Sequence, residues 1–116
     1  IIGHQAIGIK LADMAIRTEV ARTMIWRAAC AFDRPGIHEL TGHPVFPLWA
    51  ISKVYASEAM HEVAELAAEC FGAMGVMRDM PLQKYVHDTL VLQHSADCDL
   101  ASPLTVAEAV AGYSRS

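Results

Sequence analysis

The feature that most constrains the fold is an apolar pattern at three- and four-residue spacing that opens almost at the first residue. Ile7, Leu11, Met14, Thr18, Ala21, Ile25, Ala28 and Phe32 fall on one helical stripe. Ile9, Ala12, Ile16 and Val20 add a second line beside it. Together they are wider than a coiled-coil seam and suit a bundle helix packed on two neighbours. The pattern predicts a helix from about Gln5 to Phe32, roughly 40 Å long, with Lys10, Asp13, Arg17, Glu19 and Arg22 on its polar side.

The remaining chain repeats this logic. Asp33-Arg34-Pro35-Gly36 is turn chemistry, and Pro44 and Pro47 interrupt any helix, so residues 33–47 read as a loop. A second helix is expected from about Leu48 to Phe71, with Leu48, Ile51, Tyr55, Ala59, Val63, Leu66 and Cys70 as its stripe. Its many alanines allow neighbours to approach closely, and Gly72 and Gly75 end it in the manner of a C-terminal glycine cap. A third helix is expected from near Pro81 to about Leu92, with Leu82, Tyr85, Val86, Leu90 and Val91 facing inward. After an aperiodic stretch from His94 to Ala101, a short helix should start at Ser102-Pro103 or at Thr105, where Thr105-x-x-Glu108 fits a capping box. Nothing alternates with period two. The expected fold is all-α: one helical domain over residues 1–116, with two long antiparallel helices, a third and a short terminal one in an up-down bundle.

Composition narrows the functions open to such a bundle. The 116 residues are 53% hydrophobic and 19% charged, which excludes a disordered tail. A net charge of −4 gives no electrostatic footprint for nucleic acid. No apolar run reaches the roughly 18 residues of a membrane span, and no basic-then-apolar leader is visible. Cys30, Cys70 and Cys98 are widely spaced, which predicts reduced thiols and a cytoplasmic location. The chain opens without an initiator Met, directly on a helical pattern, and is expected to be part of a longer polypeptide. Wide apolar stripes on two long helices would leave apolar area exposed in a monomer, so a homodimer, a tetramer or burial against further domains is expected.

Three stretches carry a family resemblance. GHQAIGIKLADMAIRTEVARTMIWRAACAFD (3–33), ISKVYASEAMHEVAELAAECFGAMG (51–75) and MRDMPLQKYVHD (77–88) occur in the order and spacing of the C-terminal helical bundle of acyl-CoA dehydrogenases, which the chain resembles over about residues 3–93. The resemblance implies an FAD-dependent α,β-dehydrogenation of an acyl-CoA, in which a carboxylate removes the α-proton and a hydride passes to the flavin. It implies electron-transfer flavoprotein as the acceptor. It also implies a bundle that packs on its copy in a neighbouring subunit, with FAD across the interface; the flavin carries the redox chemistry and the protein supplies positioning.

Carried over by position, His4 and Gln5 match a pair whose Gln helps hold FAD. Glu69, Gly72 and Ala73 match a Gln-x-x-Gly-Gly stretch that approaches the adenine end of FAD from the partner subunit. A residue without Cβ suits Gly72, because it lets a flat cofactor come close to the backbone. Glu69 replaces an amide with a carboxylate, and Ala73 adds a methyl. In residues 91–102 the departure is larger: Ala96 stands where the family's catalytic Glu would be, Asp97 at the usual Gly and Cys98 at a Thr that contacts FAD. Some branches of the family carry the base on an earlier helix and others have lost it, so no catalytic residue is assigned in this chain; in an active enzyme the base is expected upstream, with Asp97 as the alternative.

Glu58-x-x-His61 has the spacing of di-iron carboxylate bundles, with Glu62, Glu65 and Glu69 nearby, but no second copy exists, so no metal ligand is assigned. His38 and His43 lie in the Pro-rich loop and His94-Ser95 lacks an ordered acid partner. His87 replaces a family Arg and could contact Asp88. Trp26, Trp49 and the methionines read as packing residues. A non-catalytic partner subunit of a mixed oligomer is the main alternative to the enzyme, because it would tolerate the altered loop and flavin contacts.

Overall fold

The computed structural model describes residues 3–34, 47–95 and 101–112. Four α-helices follow in order, with a 3-10 turn between the second and third: α1 Gln5–Phe32, α2 Leu48–Cys70, the turn Gly72–Val76, α3 Leu82–His94 and α4 Ala101–Ala111. No strand occurs among the described residues. The all-α expectation holds, and the first two helices fall where their periodicity places them. Two boundaries move. α3 runs on to His94, and α4 is already under way at Thr105, so Thr105 is an interior residue of a helix that begins one turn earlier and is not its N-cap. The loop features Pro35, Gly36, His38, His43 and Pro44 lie outside the described residues, as do Ala96, Asp97 and Cys98.

α2 is the hub, with α1, the 3-10 turn, α3 and α4 all packed on it. This accounts for its stripe: none of Leu48, Ile51, Tyr55, Ala59, Val63, Leu66 and Cys70 is exposed, and Ala50, Ser52, Ala59 and Ala64 are buried. The buried apolar side chains among the described residues are Ala21, Ala31, Ala50, Ala59, Ala64 and Leu82. A seam of alanines lets helix axes approach to the short end of the usual 8–10 Å range.

The stripe expected on α1 is only partly the packed one. Ile7, Met14, Thr18, Ala21 and Ala28 turn toward the bundle, whereas Leu11, Ile25 and Phe32 are exposed. The reason is size. With small residues such as Ala21 and Ala31 at the contact, the helices sit close together and the larger apolar side chains are displaced to its flanks. The second line stays uncovered too, with Ile9 63% and Ile16 61% exposed. On α3 the inward face reduces to Leu82 and Val86, leaving Tyr85, Leu90 and Val91 exposed.

Polar contacts fix how the helices run. Lys10 pairs with Glu69, and Arg17 with Glu62, so α1 and α2 are antiparallel in constant register. On the other side of α2, Thr89 Oγ1 donates to the carbonyls of Tyr85 and Val86, both at 2.9 Å, and so acts as acceptor for His61 Nδ1–H at 3.1 Å. Lys53 Nζ donates to the Gln93 carbonyl at 3.2 Å, placing a cation at the C-terminal end of α3. These contacts make α3 antiparallel to α2.

The end of α2 depends on two glycines. Gly72 has φ +56°, the left-handed conformation that reverses the chain after the helix. Gly75 is buried against the last turn of α2, where a Cβ would lie 2.1 Å from the Ala68 carbonyl oxygen. Gly75→Ala should therefore force backbone apart and cost about 1–3 kcal/mol, while Gly72→Ala should cost about 1–2 kcal/mol through its backbone conformation alone. Denaturant unfolding of the full polypeptide checks both, and an unchanged midpoint for Gly75→Ala would contradict the seating of the turn on Ala68.

The uncovered faces carry large apolar side chains, among them Ile9, Ile16, Trp26, Phe32, Tyr85 and Val91. The isolated chain should accordingly self-associate or bind a hydrophobic dye. A monodisperse monomer at high concentration that binds no dye would contradict this.

Candidate functional site

The antiparallel register brings the start of α1 and the end of α2 to the same end of the bundle, and with them the residues singled out from the sequence. His4 is the N-cap residue of α1. Its carbonyl accepts from the Ile7 and Gly8 amides at 3.0 and 3.1 Å, while its side chain makes no capping bond and is exposed. Gln5, the first residue of α1, is exposed as well. Glu69 lies in the last turn of α2, and Gly72 and Ala73 open the 3-10 turn, all three exposed. No side chain or backbone atom occupies the space a Cβ would take at Gly72, so its bare backbone faces open solvent.

Beside this end lies a groove of 370 Å³ between α2, the turn and α3. Ala68, Val76 and Val86 give it an apolar lining, and Glu65, Glu69 and Gln83 supply polar groups. Glu69 is thus shared between the helix end and the groove. Its carboxylate is engaged by Lys10, and that hydrogen bond holds the Lys10 ammonium above the usual lysine range. About two α1 turns further on, Arg17 is held by Asp13 at 2.9 Å and by Glu62, and its guanidinium is likewise raised, chiefly by the Asp13 hydrogen bond.

These cross-helix pairs are the feature missed by reading α1 as having one polar face. The signal was available. Lys10 and Arg17 are seven residues apart, as are Glu62 and Glu69, with opposite sign on the two helices. Two cations and two anions at matched heptad spacing on antiparallel helices meet in pairs.

Other candidates separate. Glu58 lines a different groove with Lys53, Val54, Ser57 and Gln93, while His61 turns to Thr89, with Nε2 3.4 Å from a Glu65 carboxylate oxygen. No group of three or more His, Cys, Asp or Glu side chains suited to a metal ion is gathered among the described residues. Ser95 Oγ donates to the Leu92 carbonyl at 3.0 Å, which spends its proton on the helix end. Asp88 is engaged by Lys84, and His87 is exposed. No helix among the described residues is long and apolar enough to cross a membrane.

Comparison with known proteins gives a consistent picture. The family model described as the acyl-CoA dehydrogenase C-terminal domain matches residues 1–96. A mitochondrial short-chain specific acyl-CoA dehydrogenase of Bos taurus is 35% identical over 89 residues, covering 77% of this chain and 20% of the relative. The corresponding human enzyme is 35% identical over 91 residues, again 77% of the chain and 20% of the relative. A probable acyl-CoA dehydrogenase of Mycobacterium tuberculosis is 34% identical over 90 residues, or 77% and 21%. The chain therefore spans about a fifth of the length of these relatives. No solved structure gives a significant match. The matched residues take in α1, α2 and α3 together with the turn that joins the last two, and on that ground the chain belongs to the acyl-CoA dehydrogenase family, of which it is the C-terminal domain.

Proposed function

We propose that this chain is the flavin-binding and oligomerisation domain of an FAD-dependent acyl-CoA dehydrogenase, spanning residues 1–116 as one helical unit. The observation that carries the proposal is the convergence of His4, Gln5, Glu69, Gly72 and Ala73 on one end of the bundle. They come from segments more than sixty residues apart, held together by the Lys10–Glu69 pair. Their chemistry suits the adenosine end of FAD. Gly72 offers accessible backbone, the Val76 and Val86 groove offers an apolar wall for a flat ring, and Glu69 and Gln83 offer acceptors for amine and hydroxyl donors. When bound, FAD would supply the electron acceptor for oxidation of the acyl chain. The chain's own residues bind and orient it, and the acyl-CoA substrate and an electron-transfer flavoprotein acceptor follow from the family.

Assembly follows from the uncovered surface. Ile9, Ile16, Trp26 and Phe32 on α1 and Val91 on α3 form exposed apolar surface of the kind that interfaces cover. A homodimer or tetramer, with help from the rest of the polypeptide, would cover it. The unpaired thiols of Cys30 and Cys70 fit a reducing compartment such as the cytoplasm, although the bovine and human relatives are named as mitochondrial.

The catalytic base is proposed to lie upstream of this chain, since Ala96 has no ionisable group. A general base must sit about 3 Å from the proton it removes, and Asp97 is both displaced by one residue and shorter by a methylene than the family's Glu. Asp97→Asn in the complete enzyme should leave most flavin reduction by acyl-CoA intact. Its near-total loss in a variant that still binds FAD and acyl-CoA would place the base at Asp97. The purified protein should carry one FAD per copy of this chain; a substoichiometric flavin shared with an active partner would favour the non-catalytic subunit instead.

A further inference from the structure

Glu69 poses an electrostatic problem on the reading above, on which this inference rests. It puts a carboxylate where the family pattern has an amide, at the end of the bundle assigned to a cofactor with an anionic diphosphate. The structure holds a local answer. The Lys10 ammonium reaches across from α1 and pairs with that carboxylate, and both residues remain partly open to solvent, with side chains 32% and 58% exposed.

Two features separate this pair from an ordinary helix clamp. Register is also fixed seven residues away by Arg17 and Glu62, so the hairpin does not depend on Lys10 for its alignment. Glu69 also lines the groove with Gln83, Val76 and Val86, whereas Glu62 does not. Of the two carboxylates that line the groove, Glu65 lies beside His61, with Nε2 at 3.4 Å, and Glu69 is the one that Lys10 offsets.

We propose that Lys10 is a positioning residue for the cofactor. It offsets the Glu69 charge and draws the carboxylate toward α1, so that the anionic diphosphate can be accommodated while Glu69 remains an acceptor for a hydroxyl or amine. Lys10 and Glu69 act as a matched set that replaces a neutral amide. Because the pair is solvated, screening keeps the effect modest, at about 2- to 5-fold in affinity.

The test measures FAD dissociation from the complete protein by flavin fluorescence, together with thermal stability of the apoprotein, in Lys10→Met, Glu69→Gln, the double variant, Arg17→Met and Ala73→Glu. The expected result is that Lys10→Met weakens FAD binding about 2- to 5-fold, Glu69→Gln does not weaken it, and the double variant binds like Glu69→Gln. Arg17→Met should lower stability without changing FAD affinity. Equal weakening by Lys10→Met and Glu69→Gln, with no recovery in the double variant, would show a purely structural clamp and overturn the proposal. If neither substitution matters but Ala73→Glu weakens FAD, the proposal fails while the cofactor site stands. If Ala73→Glu is silent as well, the site itself is misplaced.

Discussion

The close contact between α1 and α2 is the constraint on which the rest of this structure depends. Ala21 and Ala31 on one helix, and Ala50, Ala59 and Ala64 on the other, are the buried apolar side chains of the two helices, and small side chains permit close approach of helix axes. Close approach brings the flanking charges within reach of one another, so that Lys10 meets Glu69 and Arg17 meets Glu62. Those pairs set the register, and the register brings the N-terminal end of α1 level with the C-terminal end of α2. The candidate site is a consequence of that alignment.

The same seam explains why the chain looks unfinished as a globular unit. Small buried residues contribute little apolar area each, at roughly 25 cal/mol per Å², while Ile9, Ile16, Trp26 and Phe32 remain outside. A helix that is apolar on several sides belongs in the interior of something larger. The hairpin is economical as a central element of an assembly and poor as a free-standing domain, in keeping with a chain that spans about a fifth of its relatives.

Much of this was legible in the sequence. The stripe of α2 could be read directly, because a helix with neighbours on several sides covers most of its apolar positions, Trp49 excepted. The α1 stripe could not, because spacing says which residues share a face and not which of two apolar faces meets the neighbour; alanine size decided that, against Leu11, Ile25 and Phe32. Gly72 was legible as a helix stop, and its φ of +56° gives the reason. Gly75 mattered for a different one, close approach to Ala68, which no local pattern encodes. At the site, the residue-by-residue resemblance named His4, Gln5, Glu69, Gly72 and Ala73, and the fold places them at one end. The partner of Glu69 stayed hidden because pairing across a hairpin needs the register, and the register needs the fold.

Hydrogen–deuterium exchange on the complete protein, with and without FAD, tests most directly whether this end of the hairpin is a cofactor site. Bound FAD should slow exchange in peptides covering residues 69–76 and the first turn of α1, and leave the mid-helix amides around Ala21 and Ala59 unchanged. Protection confined to other parts of the polypeptide, with 69–76 exchanging at the same rate in both states, would contradict the account.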